Sequence, residues 1–281
     1  MGKHVWSEKK IERWIKEGRG QGHGSSYRPW LEVTSFSSLG RSWRPWSTKT
    51  NRIHQLFSDV EYHIFLAAEW SRSVLDIREQ YPLDRELTQS IAHELQIPHP
   101  TYPGTHVPVV MTVDFLLTVC EQGKTTCVAL NAKVDEEAED ARSIEKLEIQ
   151  RTYFEKFELQ HHLVYRSRIP KGVVNNLHWI RNAQLEDGEL EDQPGLFESL
   201  KTAMSRELSR LPDASTSLAD YCNQFDAQHG LRPGTGLRVA RMLIQERCLM
   251  ANLKAQDLAR EPLSSFMATS RAGQIRAVAG L

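Results

Sequence analysis

Asp114 and Lys133 stand at the two ends of "VDFLLTVCEQGKTTCVALNAK", two apolar runs rich in β-branched residues around a short turn. A carboxylate and an amine at the mouth of a hairpin form either a weak cross-strand pair at a wet strand end or part of a reactive set. A second carboxylate, Glu61, sits in "SDVEYHIFLAAEW", a helix with Val60, Ile64, Ala67 and Ala68 along one face. If that face packs on the hairpin, Glu61 and Asp114 converge at the sheet edge with Lys133 beside them. Two carboxylates so placed repel unless a divalent cation lies between them. Oxygen ligands with open positions suit Mg2+, with Mn2+ as a substitute. A nearby lysine then orients or deprotonates water while the metal stabilises charge on a phosphodiester, the minimal kit of a metal-dependent nuclease. Asn131 faces the same way as Lys133 because strand side chains alternate, so its amide oxygen is a weaker candidate metal ligand. Each of these residues also has a bland reading. Glu61 with Ser58 fits a capping box, in which each satisfies the other's end amide, and Asn131 is an ordinary polar group at a strand end.

Two other motifs fail on inspection. Gly123-Lys124-Thr125 copies the end of a phosphate-cradling loop, but position 118 is Thr118 rather than Gly and a strand follows instead of a helix. Cys120, Cys127, Cys222 and Cys248 form no zinc spacing, and His161-His162 lacks an HExxH frame. Reduced thiols without a signal peptide suggest the cytoplasm, and no apolar run approaches the ~20 residues of a membrane helix.

The elements that must position these groups follow from pattern and punctuation. A Ser-capped helix, "SEKKIERWIKEG", ends at Gly18. The glycine-rich "GRGQGHGSSYRP" that follows is either a flexible loop or one that lies on DNA and offers Arg19, His23 and Arg28. "RSWRPWSTKTNRIHQLFS" reads as a basic hairpin bearing Arg41 and Lys49 among tryptophans. Then come the helix of Glu61, the strand "VLDIREQYPL", a long loop rich in Pro and His, the Asp114/Lys133 hairpin, the helix "SIEKLEIQRTYFEKF" and the strand "HHLVYRS". This order predicts an α/β domain with a mixed sheet over residues 1–170. Strand signals fade in residues 171–281, where four helical stretches suit a winged-helix or helix-turn-helix module or another small bundle. "SRAGQIRAVAGL" reads as a loosely held tail, and the acidic blocks "DEEAED" and "LEDGELED" as solvated helix starts or linkers.

Charge supports a nucleic-acid partner despite a net −1 overall. Residues 1–57 hold 11 Lys/Arg against 4 Asp/Glu, and the stretch from Leu231 to the end holds 8 against 3. Such basic segments are what a phosphate backbone attracts.

The stretches "IKEGRGQGHG", "PWL", "GRS", "SDVE", "EWSRSVLDIREQYPL", "VDFL" and "EKLEIQR" resemble, in order across roughly residues 10–170, the TnsA family, endonuclease subunits of heteromeric cut-and-paste transposases. The resemblance implies a restriction-endonuclease-like core with Glu61, Asp114 and Lys133 as catalytic acid residues and lysine. Asn131 stands where this fold usually has Gln or Glu. It further implies cleavage of the 5′ strands in double-stranded DNA at transposon ends. An integrase-fold, TnsB-like partner would process the 3′ strands, and an ATP-binding, TnsC-like regulator would couple the pair to a target, with the C-terminal domain engaging DNA or that regulator. The alternative is a catalytically silent DNA-binding assembly subunit.

Overall fold

The computed structural model describes residues 6–35, 41–134, 140–185, 189–210 and 215–269. The chain separates into two compact units between Ile169 and Pro170. The tail from residue 270 and parts of both acidic blocks lie outside the described residues.

The first unit begins with α1 (Glu8–Lys16), whose first turn is capped by Ser7 through the Lys10 amide. Ile11 and Trp14 bury themselves with Trp6, Trp30, Tyr102 and Val110 in a small aromatic cluster. The glycine-rich stretch that follows is pinned rather than free. Gly20 N–H donates to Arg28 O at 2.6 Å and Arg28 N–H to Gln21 O at 3.2 Å. A Cβ on Gly20 (φ +77°) would lie 2.1 Å from Pro82 Cγ, so the glycine serves close packing here. The basic hairpin is realised by β1 (Trp46–Ser47) and β2 (Arg52–Ile53), which pair antiparallel.

Helix α2 (Asp59–Trp70) leads into β3 (Val74–Pro82). The stretch expected as a loop after Pro82 contains a helix, α3 (Arg85–Glu94), capped by Asp84 through the Leu87 amide. Thr88, Ile91 and Ala92 are its buried positions, a helical spacing that the flanking Pro and His residues obscure in the sequence. Strands β4 (Thr112–Glu121) and β5 (Lys124–Lys133) form the opening hairpin. Its two turn residues, Gln122 and Gly123, both have positive φ, the backbone that matches the twist of a two-residue hairpin. Helix α4 (Ala141–Lys156), capped by Asp140 of the first acidic block, precedes β6 (Gln160–Tyr165).

The sheet order is β3-β4-β5-β6, with β5 and β6 parallel and the other pairs antiparallel, a mixed sheet as the element order predicts. Ile91 and Ala92 of α3, Leu116 of β4, Ala129 of β5 and Ile149 and Phe154 of α4 share one apolar core. That core fixes the sheet on which the candidate site is built.

The second unit contains α5 (Lys171–Arg181), α6 (Leu196–Leu208), α7 (Leu218–His229) and α8 (Thr235–Gln245), then the antiparallel pair β7 (Leu249–Met250) and β8 (Met267–Ala268). Buried Asp226 accepts the Gly234 and Gly236 amides at 2.7 and 2.6 Å, closing the turn between α7 and α8. A Cβ on Gly236 would sit 2.7 Å from Cys222 O, so these helices touch backbone to backbone. The described part of this unit is thus mainly helical, with one short strand pair after α8.

Candidate active site

Glu61 occupies the third position of α2, and its amide donates to the Ser58 hydroxyl at 3.1 Å. The reciprocal half of the cap differs from the expected one. Glu61 Oε2 accepts from the Phe57 amide at 3.0 Å, one residue further back, and Oε1 accepts the Ser58 hydroxyl at 2.9 Å. Oε2 also accepts Gln80 Nε2 of β3 at 3.3 Å, so the carboxylate bridges helix and sheet. The residue is only 6% exposed. Burial, and then the charge of Asp114, push its carboxyl up to about 8 against the restraint of the three hydrogen bonds. Among the described residues no cationic side chain forms an ion pair with it.

Asp114 is half-buried on β4. The β4–β5 ladder runs as far as Phe115↔Leu130, and just past it Asp114 Oδ2 takes the Ala132 amide at 2.7 Å. A side chain thus replaces a ladder acceptor at the point where Lys133 follows. That bond fixes Asp114 against the residue preceding the lysine, which pairs with Tyr165 of β6 in parallel register and is half-buried. Asn131 is 5% exposed, and its Oδ1 accepts from His161 Nε2 at 2.9 Å. Burial, then the neighbouring His162, lower the His161 ring to about 4, so at neutral pH it is an uncharged donor. To ligate a cation, Asn131 would have to share or release that bond.

Two residues that the sequence did not single out complete the neighbourhood. Gln80 lies inside β3 with φ +48° and touches Glu61. Gln150 of α4 donates Nε2 to Thr112 O at 2.8 Å, near the start of the strand that carries Asp114, while its buried Oε1 has no partner. Nothing in local sequence pattern marks either, since their roles depend on contacts from distant segments.

The residues nominated for DNA divide sharply. Arg19 is buried, stacked 4.0 Å from the Trp14 ring and bonded to Trp30 O, Glu17 and Glu32. Lys49 donates to Ser71 O and Val74 O at 2.5 Å each, tying the end of α2 to the start of β3. Both serve the scaffold here. Arg28 is partly exposed between Glu17 and Glu32. His23 is largely exposed, 3.7 Å from Asp76. Arg41 is exposed and lies 4.0 Å over the Trp43 ring.

The donor set suits a hard divalent cation. Among the described residues no group of three His, Cys, Asp or Glu side chains gathers as a thiolate or imidazole site would require. Instead a buried carboxylate with no cationic partner lies within the field of a second, and such a pair favours an oxygen-preferring ion. Glu61 and Asp114 would hold it, with Asn131 as a conditional neighbour.

Comparison with known proteins places both parts of the chain in one family. Residues 71–166 match the family model of the TnsA-like endonuclease N terminal, and residues 168–253 match that of the TnsA endonuclease C terminal. The first span includes Asp114 and Lys133 and begins after Glu61. The chain is 37% identical over 248 residues to the Transposon Tn7 transposition protein TnsA of Escherichia coli, covering 88% of this chain and 87% of that protein.

Proposed function

The chain belongs to the family of TnsA endonucleases, the nuclease subunits of Tn7-like transposases, and on that premise we propose that Glu61, Asp114 and Lys133 form its cutting centre. The observation that carries the proposal is the buried Glu61 carboxylate, which has no cationic partner among the described residues and is raised by burial and by Asp114. In the same place Asp114 is bonded to the amide before Lys133. Glu61 and Asp114 would hold Mg2+ or Mn2+, which when bound supplies charge stabilisation to the phosphodiester.

The chain's own groups do the rest. The α2 cap and Gln80 hold the Glu61 carboxylate, and the Ala132 amide holds that of Asp114. Lys133, which has no ion pair among the described residues, orients water for attack on phosphorus. The P–O3′ bond breaks, leaving a 5′-phosphate and a 3′-hydroxyl. The substrate is double-stranded DNA at transposon ends, where this subunit cuts the 5′ strands. An integrase-fold, TnsB-like subunit processes the 3′ strands, an ATP-binding, TnsC-like regulator links both to the target, and the assembly works in the cytoplasm.

Strand-resolved mapping of cuts with the reconstituted transposase tests this reading, using the native chain or Asp114→Ala. The expected result is loss of 5′-strand cuts with 3′ cuts retained. Cuts on both strands by Asp114→Ala would instead make the chain a silent assembly subunit.

A further inference from the structure

Among the described residues, Gln80 is the only non-glycine with positive φ inside a strand; Asn51, Gln96, Gln122, Glu158 and Arg247 lie in turns or just past helix ends. Left-handed backbone costs a residue with a Cβ about 1–2 kcal/mol, and such strain persists only where surroundings over-determine it. Here they do. The β3–β4 ladder keeps one register from Glu79↔Phe115 to Tyr81↔Val113 and omits the intervening pair, Gln80 opposite Asp114. Trp30 N–H donates to Gln80 O at 3.2 Å and the Tyr27 hydroxyl to Glu79 O at 3.0 Å, so the N-terminal segment holds the kink from outside the sheet. On one side the Glu79 side chain is fixed by Arg52 and His54, and on the other Pro82 is wedged against Gly20.

The kink gives the side chain a specific task. The Thr112 hydroxyl donates to Gln80 Oε1 at 3.5 Å, which leaves Nε2 facing Glu61 Oε2 at 3.3 Å. Glycine would accept this backbone without strain, so tolerance of φ does not account for a glutamine. The carboxamide is what glycine lacks. We propose that Gln80 is a positioning residue for the cation site, fixing the Glu61 carboxylate from the sheet side while Ser58 and Phe57 fix it from the helix side. This inference rests on the reading of Glu61 and Asp114 as cation ligands. Groups that orient metal ligands typically change metal affinity by about 10–100-fold when removed.

The test uses the full chain as native protein, Gln80→Gly and Asp114→Ala. Mn2+ affinity is measured by calorimetry or by the EPR signal of free ion, alongside thermal melting and 5′-strand cutting across a Mg2+ titration in the assembled transposase. Gln80→Gly keeps the backbone and should melt at or above the native midpoint. Its Mn2+ affinity should weaken by about 10–100-fold, and its cutting, depressed at low Mg2+, should recover as Mg2+ rises. Asp114→Ala should lose Mn2+ binding without recovery of cutting. Native Mn2+ affinity in Gln80→Gly beside lost affinity in Asp114→Ala overturns the role of Gln80 and leaves the cutting centre standing. Native affinity in both variants overturns the cation site and this inference with it.

Discussion

Glu61 and Glu79 are both buried carboxylates that meet β3 at adjacent residues, yet the protein treats them in opposite ways. Glu79 is fully buried, and desolvation alone would raise it. Instead the His54 charge and hydrogen bonds from Arg52 and His54 pull it down to about 2. Arg52 binds it through two nitrogens at 2.8 and 2.6 Å, His54 Nδ1 donates at 2.7 Å, and the Gln55 amide adds 3.0 Å. Glu61 receives hydrogen bonds from neutral groups only, and its near charged neighbour is a carboxylate. A buried charge whose partners are all supplied by the fold holds that fold together. One whose charge the fold leaves uncompensated is poised for a ligand.

The largest effect should come from exchanging these two fates. Glu79→Gln leaves the buried Arg52 guanidinium without its counter-charge and should cost about 3–5 kcal/mol, lowering the melting midpoint of the N-terminal unit by roughly 10 °C. Glu61→Gln should leave that midpoint unchanged near neutral pH and raise it above about pH 8, where it removes a desolvated charge beside Asp114. Cutting of the 5′ strand should nevertheless fall by about 10²-fold or more, the scale for losing one group that stabilises transition-state charge. A Glu61→Gln chain that melts early and still cuts would make Glu61 a helix cap and nothing more.

The same contrast predicts two opposite pH limbs. Glu79 is depressed in the folded state, so its contribution is present above the unfolded value near 4.5 and fades as pH falls toward about 2. Glu61 is raised, so its contribution is intact below about 4.5 and is lost as pH rises through about 8. Melting scans should show stability declining with pH across that upper window in the native chain. The decline should be absent in Glu61→Gln and relieved by Mg2+, which stabilises the state it binds. A native decline that Mg2+ leaves untouched would separate the titration from cation binding.

How far this contrast could be read from the sequence depends on the range of the forces involved. The Asp114/Lys133 hairpin is legible because alternation and the Gln122-Gly123 turn are local signals, and α2 because Ser58 caps it locally. Helix α3 was hidden by its neighbours' composition, although Asp84, Thr88, Ile91 and Ala92 carried the pattern. Charge proved hardest to read. Arg52 and His54 stand in a stretch that looks basic and DNA-facing, yet both turn inward to Glu79. Residue types and family resemblance could nominate Glu61. That it is buried with no cationic partner among the described residues is a tertiary fact, and the left-handed Gln80 it meets is held by Trp30 and Tyr27, which no local pattern connects to it.

The smallest predicted effect carries the comparison to the basic residues, where Arg19 and Arg41 repeat it in milder form. Both stack on tryptophan, Arg19 on Trp14 and Arg41 on Trp43, each at 4.0 Å. Arg19 is buried and its Nη1 satisfies the Trp30 carbonyl, so Arg19→Ala should cost about 1–3 kcal/mol through the orphaned acceptor. Arg41 is exposed, so Arg41→Ala should change stability by no more than about 0.5 kcal/mol. If Arg41 neutralises a phosphate, that variant should instead reduce the slope of log affinity against log salt for transposon-end DNA by about 1. Arg19→Ala, assayed below its melting range, should keep the native slope. Equal slopes for Arg41→Ala and the native chain would show that the exposed stack, too, belongs to the scaffold, and that the basic N-terminal segment meets DNA through other residues.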